Sequence, residues 1–177
     1  MKAPLSLKGR AIALLAQREH SEIELRRKLL RWARASAARA DAGSGDAAAD
    51  GEATAQRAAA EVDALIAWLR EHDYLSEARF VDSRVHARSQ RFGNLRIRQE
   101  LAQHGLSLPA DAAQALKDSE LQRAAEVWQR KFGAVPASPE SPAERARQAR
   151  FLAARGFSGE VITRVMRRAG RGEPHDG

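Results

Sequence analysis

The 177-residue sequence contains no cysteine. A disulfide framework, a thiolate nucleophile and a thiolate metal site are therefore all excluded, which suits a reducing compartment. Aromatic residues make up only 5% of the chain, and tyrosine occurs once. Long apolar runs are missing as well. The stretch Ala11–Ala16 is the longest near the N-terminus, too short for a signal-peptide core or a bilayer span. No segment of useful length alternates with the period of two that a half-buried strand requires. There is no phosphate loop of the G-x-x-x-x-G-K type, and Gly43-Ser44-Gly45 adjoins no strand. His20, His72, His86, His104 and His175 lack ligand spacing. Glu71, Asp73 and Glu77 read as helix-end acids rather than a catalytic pair. These absences imply a protein that is not an enzyme, holds no metal or cofactor, contacts no membrane and works in the cytoplasm.

What is present is helical periodicity. Leu7, Ala11, Leu14 and Leu15 form a first stripe. Ser21 and Glu24 read as a capping box that opens a helix burying Leu25 and Leu29 beside Trp32. From about 34 to 57 no large apolar residue occurs, and this segment reads as a largely disordered insertion, with 36–56 dispensable for folding; transient helix made by its alanines is the competing view. Val62, Leu65, Ile66 and Leu69 restore a stripe, and Ser76 is placed to cap a helix carrying Phe80, Val81 and Val85. The stretch Arg96–Ser107 is the organising element. An amphipathic helix holds Ile97 and Leu101 on one face, must end at Gly105, and is expected to restart at Ser107. Pro109 opens a helix over Ala112, Ala113 and Leu116, and Leu121, Ala124, Ala125, Trp128 and Phe132 form a further stripe. After a Pro/Ser-rich loop, Ser141-Pro142-Ala143-Glu144 has the order of N-cap, N1, N2 and N3. A last helix from Ser158 should bury Val161, Ile162, Val165 and Met166.

The pattern Leu-Ala-x-x-Gly-apolar-Ser occurs at Leu101 and again at Leu152, 51 residues later. Arg91-Phe92-Gly93 returns as Lys131-Phe132-Gly133 at a spacing of 40, and Ile23, Leu25 and Leu29 match Leu95, Ile97 and Leu101 at 72. The chain therefore reads as all-α, with three tandem three-helix repeats stacked into an elongated, curved molecule. The repeats should span 1–75, with the insertion inside it, 76–117 and 118–170, followed by a disordered tail over 171–177.

The formal net charge is +7. From Arg84 to His104 there are five Arg and one Glu, and from Glu144 to Arg171 eight Arg and two Glu. Arg pairs bidentately with carboxylate and phosphate, so these stretches point to a polyanion or an acidic protein surface. Sequence-specific groove reading is disfavoured. The helix after Gly105 carries Asp111 and Asp118, and the one after Gly156 lacks Asn and Gln for base edges.

Tyr74-Leu75-Ser76-Glu77-Ala78-Arg79-Phe80-Val81, then Arg84, Gly93, Arg96-Ile97-Arg98-Gln99-Glu100-Leu101 and Gly105-Leu106, resembles the signature of the bacterial RecX regulatory proteins. Ser21-x-x-Glu24-Leu25-x-x-Lys28-Leu29 matches that family's first unit. Two departures stand out: Ser76 and Glu77 replace the usual acids, and the 34–57 segment is foreign to the pattern. The resemblance implies an all-helical, non-enzymatic protein of three tandem three-helix repeats, and a monomer is expected. It further implies a protein that binds the RecA filament on DNA, restrains its activities, and meets single-stranded DNA weakly or through that filament. The residues expected to contact the partner or DNA are Arg84, Arg88, Arg91, Arg96 and Arg98 in the second repeat. In the third they are Lys131, Arg145, Arg147, Arg150, Arg155, Arg164, Arg167 and Arg168. A general nucleic-acid-binding helical protein, and an adaptor for an acidic protein unrelated to DNA, are the alternatives.

Overall fold

The computed structural model describes residues 5–41, 51–133 and 141–170. The expected tail over 171–177, the middle of the insertion (42–50) and the loop 134–140 lie outside the described residues. Among the described residues the chain is all-helical, with eight α-helices and no strand. They are α1 (Leu7–Leu15), α2 (Glu22–Asp41), α3 (Gly51–Glu71), α4 (Glu77–Ser89), α5 (Asn94–Ala102), α6 (Ala110–Phe132), α7 (Pro142–Ala154) and α8 (Gly159–Ala169). No helix among the described residues is long and apolar enough to cross a membrane. The chain divides into two compact units, 1–80 and 81–177.

In the first unit α1, α2 and α3 enclose Ala11, Leu25, Leu29, Val62, Ile66, Leu69 and Leu75. Ser6 caps α1 by accepting the Gly9 N–H at 3.1 Å, and Ser21 caps α2 by accepting the Glu24 N–H at 3.2 Å. The buried Glu24 carboxylate is bound by Arg18 and by Lys28, whose Nζ lies 3.1 Å away. Burial alone would raise the Glu24 pKa, but the hydrogen bonds from Arg18 and Lys28 outweigh it and hold the group at about 2. Lys28 also donates to His20 Nε2 at 2.9 Å, while His20 Nδ1 donates to the Arg18 carbonyl at 2.9 Å. His20 is 1% exposed, and its burial lowers its pKa, so both ring positions fit a neutral imidazole.

The expected disordered insertion is corrected on both sides. Helix α2 runs to Asp41 and α3 begins at Gly51, so 34–41 and 51–57 are helical. The reason is local. Ala33 stands in α2 at the register that Gly105 holds 72 residues later, so no left-handed residue ends the helix there. The Ala-rich sequence beyond it has the best helix propensity available. Helix α2 also pairs with α3, leaving the small side chains of Ser36, Ala37, Thr54 and Ala55 half-buried. Arg26 joins the two helices with N–H bonds of 2.6 and 2.9 Å to the Asp63 carboxylate. That pairing raises the Arg26 pKa and lowers that of Asp63.

The second unit holds most of α4 together with α5 to α8. Ala124, Val127, Leu152, Phe157, Val161 and Val165 form its main core, against Leu121, Trp128, Phe151 and Ile162. Helix α6 is unbroken from Ala110 to Phe132, so the expected repeat boundary at 117/118 falls inside one helix. Nothing between those residues is Gly or Pro, and Lys117-Asp118-Ser119-Glu120 continues the turn without strain. The chain does not resume a helix at Ser107. Residues 106–109 stay non-helical and α6 starts after Pro109, because a proline disfavours helical backbone in the residue before it. Ser158 and Ser141 behave as expected, accepting N–H groups of Val161 at 3.4 Å and Glu144 at 3.3 Å.

The repeat register is visible in burial. Leu29, Leu101 and Leu152 are each 0% exposed, as are Leu25 and Ile97, while Ile23 and Leu95 are both 51% exposed. The third repeat puts Gln148 at the Ile97 position. It is buried, and its Oε1 accepts the Trp128 indole N–H at 2.7 Å. Gly105 and Gly156 close α5 and α7 with φ of 71° and 82°. In each case the next N–H returns to the conserved-depth Leu carbonyl, Leu106 to Leu101 at 3.1 Å and Phe157 to Leu152 at 3.3 Å.

Candidate interaction surface

Every candidate contact residue falls in the second compact unit. Arg84 and Arg88 lie on α4, Arg91 follows it, Arg96 and Arg98 lie on α5, and Lys131 ends α6. Arg145, Arg147 and Arg150 lie on α7, Arg155 follows it, and Arg164, Arg167 and Arg168 lie on α8.

The chain builds this surface around the turn between α4 and α5. A helix C-terminus leaves carbonyls without intrahelical partners. Here arginines from elsewhere supply them. Arg123 donates to the Ser89 carbonyl at 3.0 Å and the Phe92 carbonyl at 2.9 Å, Arg130 to Gln90 at 2.6 Å, and Arg155 to Arg91 at 3.2 Å. Arg123 also donates to Asn94 Oδ1 at 2.6 Å and to the Leu116 carbonyl at 2.9 Å. Desolvation lowers its pKa, although Glu120 and Glu126 act in the opposite direction. The start of α5 has its own partner. Its N-cap, Gly93, has no side chain, and buried Glu120 accepts the Asn94 N–H at 3.0 Å and the Ser158 hydroxyl at 3.1 Å. Gly93 itself donates to the Arg155 carbonyl at 2.9 Å, and a Cβ there would lie 2.2 Å from the Gly156 oxygen. The α4–α5 turn is thus locked directly onto the α7–α8 turn.

Three expected contact residues come together. Arg84, Arg88 and Arg96 line a cleft of about 270 Å³ between α4 and α5, with Glu100 among them. Arg88 Nε donates to Glu100 Oε2 at 2.8 Å, and Arg96 Nε lies 3.6 Å from Oε1. The Arg88 and Arg96 guanidinium groups sit 5.4 and 5.9 Å from the centre of the Phe92 ring, which fixes both against an apolar base.

Arg155, another of the expected contact residues, lies at the turn itself. It caps the Arg91 carbonyl and lies 4.5 Å from the Phe151 ring centre, so its guanidinium already serves the turn. The remaining residues stay outward. Arg98, Arg145, Arg150, Arg167 and Arg168 are exposed and make no ion pair within 4.0 Å among the described residues. Arg164 meets only exposed Glu160, at 3.9 Å. Between α7 and α8 a second groove, about 530 Å³, has Ala146, Ala149, Ile162 and Met166 along it and Arg145 and Arg167 beside them.

Sequence reasoning missed Arg123, Arg130 and Glu120. Glu120 is 5% exposed, a charge within the apolar stripe of α6, and a Glu three residues before an Arg in such a stripe is the signal that could have found the network.

Two family profiles match the chain, "RecX, second three-helix domain" over residues 76–116 and "RecX, third three-helix domain" over 118–166. Among curated relatives, the regulatory protein RecX of Leptothrix cholodnii is 44% identical, over 97% of this chain and 94% of its own. That of Ralstonia nicotianae is 41% identical over 95% and 91%, and that of Pseudomonas entomophila 38% over 94% and 93%.

Proposed function

Because the chain belongs to the RecX family of regulatory proteins, we propose that it binds the RecA–DNA filament and inhibits RecA assembly, ATP hydrolysis and strand exchange. It would thereby modulate DNA repair and the SOS response in the cytoplasm, as a monomer acting by binding alone. The observation that supports this reading best is the Arg face of α8. Arg164, Arg167 and Arg168 are exposed opposite the buried Val161, Val165 and Met166. Like charges on one helix face repel, and the exposed Glu160 beside Arg164 and the C-terminal end of α8 offset this only in part, so an external anion would stabilise them further. Arg98 and the α7 arginines extend the same positive field, which suits filament carboxylates and DNA phosphates.

The test is RecA ATP hydrolysis on single-stranded DNA, titrated with the full chain. The wild-type protein should inhibit. Reversing Arg164, Arg167 and Arg168 to Glu should raise the half-inhibitory concentration by about tenfold or more, at unchanged helicity, because interfacial charge reversal costs several kcal/mol. The same reversal at Arg34, Arg39 and Arg57 of the first unit should do little. Wild-type protein that leaves hydrolysis unchanged would sink the reading. Equal binding to bare DNA and to the filament would favour the general nucleic-acid binder instead.

A further inference from the structure

The cleft between α4 and α5 has features that the repeat architecture does not require. At the 40-residue spacing, Arg84 and Arg88 correspond to Ala124 and Trp128 of the next repeat. Those two serve the core: Ala124 is 0% exposed, and Trp128 packs against the core cluster and donates to Gln148. The second repeat therefore places two guanidinium groups where its neighbour places apolar side chains. Arg96 joins them from α5, so the lining carries three positive charges and one negative charge, from Glu100.

We propose that this cleft is a phosphate site, in which Arg84, Arg88 and Arg96 take a backbone phosphate of a single-stranded nucleic acid and Glu100 is the built-in competitor that the phosphate displaces. The proposal deepens the reading above by assigning its nucleic-acid contact to one place.

The donor geometry supports phosphate. A guanidinium offers five N–H groups, and Glu100 occupies one from Arg88 and lies near one from Arg96. A planar carboxylate presents only two oxygens to the three guanidinium groups that line the cleft. A phosphodiester presents non-bridging oxygens to both helices at once, and forked Arg contacts match it. Phe92 beneath Arg88 and Arg96 holds them in place before the ligand arrives, so less side-chain freedom is lost on binding. Gln103 and His104, also in the lining, add hydrogen-bonding groups for sugar atoms. Glu100 makes occupancy conditional. An anion must outcompete a tethered carboxylate, so isolated single charges are rejected and a polyanion, whose binding also releases counterions, is accepted.

The experiment is fluorescence anisotropy with a labelled oligothymidylate and the full chain, helicity being checked by circular dichroism. Arg84→Gln and Arg88→Gln should each weaken binding by about tenfold, the scale of a lost charge-assisted hydrogen bond. Glu100→Gln should tighten binding by about threefold or more, since it removes the competitor and one negative charge. Lys117→Gln, an exposed cation of α6 outside the cleft, is the control and should match wild type. If Arg88→Gln loses helicity, Arg84→Gln and Glu100→Gln decide the matter. Weaker or unchanged binding by Glu100→Gln overturns the proposal, as do Arg variants that match Lys117→Gln. Displacement of the oligonucleotide by polyglutamate at matched ionic strength would assign the cleft to a protein carboxylate. Binding of inorganic pyrophosphate without the oligonucleotide would assign it to a free polyphosphate. Either result overturns the proposal as stated. Running RecA ATP hydrolysis on the same variants separates the two readings. Retained inhibition with an inert cleft removes this inference alone, and an intact cleft with no wild-type inhibition removes the function alone.

Discussion

Helices α2 and α5 occupy the same place in successive repeats and carry opposite charge pairs. In α2 the pair is Glu24 and Lys28, 3.1 Å apart; in α5, at the same register, it is Arg96 and Glu100, 3.6 Å apart. In α7 the two positions become Arg147 and Phe151, with no acid. The apolar position beside them is Leu in all three repeats and fully buried in each. The difference teaches that the repeat demands the Leu and tolerates either sign, or none, on the adjacent face. The first unit uses that freedom to satisfy its charges internally, through Arg18, Lys28 and His20 around Glu24. The second repeat instead gathers Arg88 and Arg96 around Glu100 in an open cleft, and the third leaves Arg147 exposed; that is where a polyanion is proposed to dock.

The largest expected effect tests the shared part of this comparison. Leu29→Ala, Leu101→Ala and Leu152→Ala should each destabilise by about 2–5 kcal/mol in denaturant melts, the range for emptied core sites. A neutral result at any of them would break the three-fold equivalence. Next comes the lock between the α4–α5 and α7–α8 turns. Gly93→Ala forces a Cβ against the Gly156 backbone and should cost about 1–3 kcal/mol or more. Gly159→Ala meets nothing within 4 Å and should be neutral or stabilising by about 0.4–1 kcal/mol. Similar losses at both positions would show that the close approach carries no strain.

A smaller effect is expected from removing 36–56. That deletion takes the last turns of α2 and the first of α3, which carry half-buried small side chains, and should lower the thermal midpoint by about 5 °C. No change would restore the picture of a dispensable loop. The smallest effect is the pH response of the internally neutralised unit. The folded pKa of Glu24, about 2, lies below its unfolded value, so its stabilisation is present above the unfolded pKa and is lost as pH falls towards 2. Glu24→Gln should narrow the gap in midpoint to wild type as pH is lowered from 5 to 2. A gap that stays constant would place the acid sensitivity elsewhere.

Much of this was local and therefore legible in order along the chain. Caps at Ser21, Ser141 and Ser158 and the left-handed turns at Gly105 and Gly156 depend on residues within one helical turn, and so does the apolar stripe of α8. The error at 34–57 was local too. Low apolar content was read as disorder, although Ala33 in place of a glycine let α2 continue and Ala-rich sequence favours helix.

The sequence by itself determined an all-α chain, its repeat register and the second-unit placement of the basic residues, because helical periodicity and capping are written in neighbours three or four residues apart. Only the tertiary structure decided what each arginine does. Arg123, Arg130 and Arg155 cap carbonyls 31 to 64 residues away, Glu120 closes α5 from α6, and Glu100 gathers Arg88 and Arg96 over Phe92. A guanidinium aimed at solvent and one aimed at a distant helix end look alike in sequence. What separates them is which backbone groups the packing leaves without partners.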